Sequence, residues 1–193
     1  MKKIIMGLAF VAMTGIVKGQ EYYHAFGLQA NVGFQSKKSE VAGVSSEVSQ
    51  VLFVPGLFYK ATLAFEINRD MSFAVSAYPF IGMMGSLNSQ SGASSGTSIG
   101  IELPILGELY FGDLDDPCFF VGAGINFSAI RSTYGATTVV GPQIELGGQF
   151  EFRDQIIGAR LAYTYGLNNG TDNPNITISN SIINVGIFYP IGL

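Results

Sequence analysis

The chain has 193 residues, enough for one domain and for a sheet closed on itself. With 10 Lys and Arg against 14 Asp and Glu it is acidic, and it lacks the cations that displace phosphate counterions, which argues against nucleic-acid binding. Charged residues make up 12% of it, about half of the ~25% usual in soluble domains, and the single cysteine, Cys118, has no partner for an internal disulfide.

Residues 1–19 read as a segment apart from the rest. Lys2 and Lys3 form a positive start, and the apolar run from Ile4 to Val17 has the length of a signal-peptide core. Val17, Lys18 and Gly19 then predict cleavage before Gln20, leaving residues 20–193 as the mature domain. The alternative, an N-terminal anchor, needs about 20 apolar residues, more than the run supplies. No cysteine stands near the cut, so a lipid-anchored form is not expected. Removing Lys2, Lys3 and Lys18 leaves 7 cationic against 14 acidic side chains, a net charge of −7. An exported domain without disulfides draws its stability from its own packing or from a membrane. The mature region has no apolar stretch of the ~18 residues that a spanning helix requires.

The mature region instead alternates at period two in eight segments, the mark of strands whose successive side chains point to opposite faces. The first, 23–35, sets Phe26, Leu28, Ala30, Val32 and Phe34 against Gln29, Asn31, Gly33 and Gln35. The second, 51–67, sets Val51, Phe53, Leu57, Tyr59, Leu63 and Phe65 against Gly56, Lys60, Thr62 and Glu66. In the third, 71–85, Phe73, Val75, Ala77, Ile81 and Met83 oppose Ser72, Ala74, Ser76 and Gly82. The fourth alternates Ile99, Ile101, Leu103, Ile105, Leu109 and Phe111 with Gly100, Glu102, Glu108 and Tyr110. The fifth opposes Phe119, Val121, Ala123, Ile125 and Phe127 to Gly122, Gly124, Asn126 and Ser128. The sixth opposes Val140, Ile144, Leu146, Phe150 and Phe152 to Gln143, Glu145, Gly147, Gln149 and Glu151. Ile157, Ala159, Leu161, Tyr163 and Tyr165 oppose Gly158, Arg160, Thr164 and Gly166 in the seventh. Ile183, Val185, Ile187, Tyr189 and Ile191 oppose Asn184 and Gly186 in the eighth.

Between the segments, connections alternate strictly in length. Asn68–Asp70, Gly112–Pro117 and Arg153–Gln155 are short, whereas Ser36–Gln50, Ser86–Gly96, Arg131–Thr138 and Asn168–Asn175 are longer and polar. Short turns on one side and long loops on the other are the asymmetry of transmembrane β-barrels. With an even strand count, both termini fall on the short-turn side.

The architecture of residues 22–193 resembles the small eight-stranded outer-membrane β-barrel family, typified by OmpX and the OmpA transmembrane domain. The final segment, Asn184-Val-Gly186-Ile-Phe-Tyr189-Pro-Ile191, is similar to the polar-x-Gly-x-x-aromatic-x-hydrophobic signal that the barrel insertion machinery reads in that family, although this chain ends on Ile191-Gly192-Leu193 where the family closes on an aromatic residue. The resemblance implies an all-β, eight-stranded antiparallel up-and-down transmembrane barrel, multi-pass in a bacterial outer membrane, with the membrane lipid and the insertion machinery as partners.

Composition assigns the faces. A soluble ligand-binding barrel of the lipocalin kind turns its apolar face inward and needs many Lys and Glu outside, whereas the polar faces here are largely Gly, Ser, Asn, Gln, Thr and Ala, small enough for a narrow bore. The apolar face therefore meets lipid. Phe65, Phe73, Phe111, Phe119, Phe152 and Tyr189 form an aromatic girdle near the short turns, as an interface requires. Eight charges are expected to point inward: Lys60, Glu66, Glu102, Glu108, Glu145, Glu151, Arg153 and Arg160. Of these Lys60, Glu102, Glu145 and Arg160 are expected at one mid-barrel depth, paired because a narrow bore desolvates them, with Arg160 and Glu145 on adjacent strands. That network serves either as a polar plug or as a gated ion path; the plug is the simpler reading. Pro55, Pro79, Pro104, Pro142 and Pro190 fall inside segments, and Pro79 and Pro104 in particular call for a bulge or an interrupted ladder.

No residue set points to catalysis, a cofactor or a metal. The one histidine, His24, lies in phase with the apolar residues at the short-turn end, away from any nucleophile. Asp113-Leu114-Asp115-Asp116 lacks the spacing of a calcium loop, and Cys118 reads as a packing residue. The sequence thus predicts a non-enzymatic barrel with a filled polar lumen and a structural or surface-interaction role, its Ser-, Gly-, Asn- and Thr-rich loops offering a surface to a partner that no residue identifies. The alternatives are a barrel subunit of a secretion or uptake complex and the soluble ligand-binding barrel.

Overall fold

In a computed structural model of the chain, residues 20–41, 44–86, 98–114, 116–132, 135–167 and 176–191 are described; the expected signal peptide lies outside them. They form nine strands: β1 (Gln20–Val41), β2 (Val44–Asn68), β3 (Met71–Ala77), β4 (Phe80–Ser86), β5 (Ser98–Phe111), β6 (Phe119–Ser132), β7 (Gly135–Phe152), β8 (Gln155–Tyr165) and β9 (Ile176–Ile191). All pairings are antiparallel. β3 and β4 are consecutive halves of one stave, both paired with β2 and β5. β1 pairs with β2 on one side and β9 on the other, which closes the sheet into a barrel of eight staves.

The predicted phase is the observed one. Ile101 and Leu146 are 55% and 57% exposed on the outer wall, while their neighbours Glu102 and Glu145 are each 5% exposed and point inward. Apolar side chains cover the outside of every stave, from Leu28 on β1 and Leu57 on β2 round to Ile187 on β9.

The interruption between β3 and β4 has a local cause. Across it the register is kept: Ala61 pairs with Ala77 before the break and Phe58 with Phe80 after it. Within it, the Tyr59 N–H donates to the Pro79 carbonyl and the Tyr78 N–H to the Pro104 carbonyl, both at 3.0 Å. Each of these pairs keeps one hydrogen bond and lacks the reciprocal one, because proline has no N–H to give. Pro79 on the stave and Pro104 on its neighbour thus thin the ladder from both sides at one point. The result is an interrupted ladder and not a bulge. Pairing between β2 and β4 also lapses opposite Val54 and Pro55, then resumes in the same register at Gly56 and Gly82.

Connections at the short-turn end are tight. Arg153 and Asp154 both have positive φ, 51° and 61°, the conformation a two-residue hairpin needs beneath the closing pair Phe152 and Gln155. At Asn68–Met71 the Asp70 N–H donates to Asn68 Oδ1 at 2.9 Å.

Two of the four segments expected as long loops are ladders instead. The β1–β2 hairpin stays paired from Ser36–Ser49 out to Val41–Val44, and β6 and β7 stay paired to Ser132–Gly135. Lys38 and Glu47 face one another there in an exposed ion pair of 3.5 Å. A ladder with water on both faces needs no apolar alternation, so periodicity read it as loop. Residues 87–97 and 168–175, which hold most of the other two long connections, lie outside the described residues.

Candidate functional site

The buried polar and charged groups gather inside the barrel, at even-numbered positions of most strands and odd-numbered positions of β1 and β7. Burial is close to complete there: Lys60, Glu108, Tyr78, Tyr110, Asn126, Thr164 and Asn184 are all 0% exposed. Three tiers follow one another from the short turns towards the loops.

Nearest the short turns the bore is closed mainly by apolar groups. Leu114, from the short acidic connection, and Cys118 are buried with Tyr23, Tyr110, Phe120 and Phe188. Cys118 and Gln149 exchange backbone hydrogen bonds of 3.2 and 2.7 Å, and Gln149 Oε1 accepts from the Tyr23 hydroxyl at 3.0 Å. Burial pushes the Cys118 thiol up to about 11, so this cysteine is a packing group that resists ionisation.

Glycine makes room for the rings. On β8 a Cβ at Gly158 would stand 2.0 Å from the Phe188 ring of the paired strand, and on β7 a Cβ at Gly147 would stand 2.3 Å from the Phe120 ring. The aromatic side chain lies flat over the backbone of its neighbour, which only a residue without a side chain permits.

The middle tier holds two ion pairs, both wholly buried: Lys60 Nζ to Glu108 Oε2 at 3.1 Å, and Arg160 Nη2 to Glu145 Oε2 at 2.6 Å. Tyr78 joins them. Its hydroxyl sits between the two carboxylates, bonded to Glu108 and 2.7 Å from Glu145 Oε1. Its ring centroid lies 4.0 Å from the Arg160 guanidinium carbon and 4.9 Å from Lys60 Nζ. Glu108 also accepts from Ser76 at 2.6 Å and from Tyr110 at 2.7 Å, so its lone pairs are well occupied. Desolvated charges need this many partners, since each loses several kcal/mol of hydration on burial.

Towards the loops the bore is lined with amides and hydroxyls around Glu102. Arg160 Nη1 donates to Gln29 Oε1 at 2.8 Å, Gln29 Nε2 to Asn31 Oδ1 at 2.6 Å, and Asn31 Nδ2 to Glu102 Oε1 at 2.7 Å. Asn184 Nδ2 donates to Glu102 Oε2 at 3.1 Å from the other side. Asn126 Nδ2 donates to Thr164 Oγ1 at 3.2 Å, and Thr164 to Gln143 Oε1 at 2.9 Å.

The expected four-charge cluster therefore divides. Arg160 and Glu145 do meet. Lys60 turns to Glu108, an inward residue for which the alternation alone suggests no partner, and Glu102 sits with amides. Glu66, Glu151 and Arg153, expected to point inward, are exposed at the short-turn end, where the ladder gives way to turns and no bore remains to enclose them. Arg153 lies over the outward Phe152 ring, 5.4 Å from its centroid.

Of the aromatic set, Phe73, Phe111, Phe119, Phe152 and Tyr189 are exposed on the outer wall and Phe65 is half-buried there. Asn184 and Gly186 of the final-strand signal point into the bore, whereas Tyr189 and Ile191 point outward. His24 faces outward, half-buried, with its ring stacked 5.7 Å from that of Tyr59. Tyr78 and the inward rings of Phe58, Phe120 and Phe188 were missed, although parity alone marks them: Phe58 lies between the outward Leu57 and Tyr59. The functional reading of that parity was blurred by their apolar character.

No protein-family model matches the chain, and no curated protein sequence matches it. Among solved structures it is similar to OprG, an outer membrane protein from Pseudomonas aeruginosa: 13% identity, TM-score 0.52, with 93% of this chain and 99% of that one covered. It is also similar to the outer membrane protein AlkL (11%, TM-score 0.49, 93% of each chain) and to Neisserial surface protein A (14%, TM-score 0.42, 89% and 99%). The fold is that of a small eight-stranded outer-membrane β-barrel. At such identities the OprG likeness speaks to the fold alone.

Proposed function

We propose that the chain is an integral, multi-pass protein of a bacterial outer membrane, without enzymatic activity, whose filled polar lumen makes it a rigid support for its outer hairpins and loops. The observation that carries this reading is the outer wall: large apolar side chains stand exposed on every stave, from Phe73 at 37% to Met83 at 64%, with Phe26 at 57% and Ile144 at 62%. Soluble monomers rarely expose contiguous apolar patches beyond a few hundred Å². A wall apolar all round is suited to hydrocarbon, and a closed sheet pairs its backbone groups within the wall, apart from the carbonyls opposite Pro79 and Pro104.

Packing supports the filled lumen. Side chains as large as Tyr78, Tyr110, Phe120 and Lys60 are wholly buried in the bore, which leaves no wide aqueous path for a large solute. On this reading residues 1–19 direct export and are removed, the outward aromatics near the short turns lie at the membrane interface, and the final strand carries the signal read by the insertion machinery.

Envelope fractionation with gel migration before and after heating tests the proposal. The protein is expected in the outer-membrane fraction, and its unheated form is expected to migrate differently from the boiled one. A protein that stays in solution without detergent refutes the location. Discrete channels large enough to pass sugars in a planar bilayer refute the filled lumen.

A further inference from the structure

The bore does not balance its own charge. Among the described residues three carboxylates point into it, Glu102, Glu108 and Glu145, and two cations, Lys60 and Arg160. Both cations are committed, Lys60 to Glu108 and Arg160 to Glu145. Glu102, 5% exposed, is left with neutral amide partners only, Asn31 and Asn184.

Three side-chain oxygens on inward positions of the same chamber are buried and have no hydrogen-bond partner: Oδ1 of Asn126, Oγ of Ser128 and Oδ1 of Asn184. Asn126 and Ser128 come from β6, the neighbour of β5, and Asn184 from β9 on the opposite side of the bore. Ser128 stands directly opposite Glu102 across the β5–β6 ladder, and Asn126 follows two residues on along the same face. Asn184 arrives from β9, its amide held against the carboxylate by its own nitrogen. An unpaired buried acceptor is costly, and such acceptors near a buried carboxylate that has no ion-pair partner of its own attract a cation.

We propose that the loop-side chamber of the bore is a binding site for a monovalent alkali cation, held by the Glu102 carboxylate and the side-chain oxygens of Asn126, Ser128 and Asn184. The donor set selects the class. Carboxylate, amide and hydroxyl oxygens are hard ligands that suit hard cations. No group of three His, Cys, Asp or Glu converges among the described residues, which leaves no set for zinc or another transition metal. With one carboxylate and otherwise neutral oxygens, a single positive charge brings the bore to neutrality, whereas a divalent ion overshoots it. The site goes beyond the role proposed above and does not depend on what the loops contact.

The folded barrel purified in neutral detergent provides the test. Its loss of the folded gel band on heating is compared in sodium, potassium and N-methylglucamine chlorides of equal ionic strength. An alkali cation is expected to raise the midpoint saturably, by roughly 5 °C for a chain of this size, and Glu102→Gln is expected to abolish that increment while remaining folded. Ser128→Ala is expected to need several-fold more cation for half of the effect. Equal midpoints in all three salts, or an increment that survives Glu102→Gln, overturn the proposal. Should Glu102→Gln fail to fold, sodium-23 relaxation on the unaltered protein decides: broadening that potassium competes away supports the site, and its absence rejects it.

Discussion

The two faces of this barrel wall obey different rules. Outside, Leu28, Leu57, Ile101, Leu103 and Ile187 are exposed and, on the membrane reading proposed above, need only be apolar to suit a uniform hydrocarbon surrounding. Inside, each residue answers to a named partner: Lys60 to Glu108, Arg160 to Glu145, Phe188 to Gly158, Tyr23 to Gln149. The outer face is thus set by solvent and tolerates exchange among hydrophobes, while the inner face is set by shape and hydrogen bonding and tolerates little. One strand carries both rules at alternate positions.

Substitutions on the two faces can break that contrast, beginning with the largest effect. Arg160→Ala strands the wholly buried Glu145 carboxylate and takes a bond from Gln29, so it is expected to cost about 3–5 kcal/mol in denaturant unfolding from micelles or bilayers. An unchanged unfolding midpoint contradicts the paired interior. On the outer face, Leu103→Arg is expected to impair stable insertion by about 2–4 kcal/mol if the site reaches the bilayer midplane, whereas Leu103→Ile is expected to be nearly neutral. Equal tolerance of both in a vesicle-folding titration removes the lipid-facing assignment.

Smaller effects sharpen the same comparison. Gly158→Ala forces a Cβ into the Phe188 ring, which is itself held against Phe58 and Phe120 with ring centroids 6.3 Å from each, and overpacking of that kind costs about 1–3 kcal/mol. The double change Gly158→Ala with Phe188→Leu is expected to recover part of the loss, and strict additivity in the cycle argues against the contact. Gln149→Ala removes the acceptor of the Tyr23 hydroxyl and is expected to cost about 1 kcal/mol, less than any change above. A Gln149→Ala loss as large as that of Arg160→Ala makes the short-turn tier, and not the ion pairs, the anchor of the interior.

Legibility in the sequence divided along similar lines. Strand existence, parity and number could be read because alternation is local: Ile99 to Phe111 announces a half-apolar strand without reference to any other part of the chain. The polar hairpin beyond Ser36 and Ser49 was illegible by the same logic, since a ladder wetted on both faces has no apolar signal to read. Among site residues, the Arg160–Glu145 pair was anticipated because β7 and β8 are consecutive. The Lys60–Glu108 pair joins β2 and β5 over the intervening β3 and was not.

Sequence alone determined that this chain forms an eight-stranded wall, which apolar side chains face out, and that proline must disturb the ladder near Pro79 and Pro104, by a bulge or by an interruption. These follow from parity, composition and a missing N–H, all properties of short windows. Only the tertiary structure decided which inward groups meet: that Tyr78 bridges two carboxylates, that Glu102 keeps neutral company, and that rings lie over glycines of neighbouring strands. Such contacts depend on the register and stagger of a closed sheet, which bring together residues as distant as Asn31 and Glu102, and no local pattern encodes that meeting.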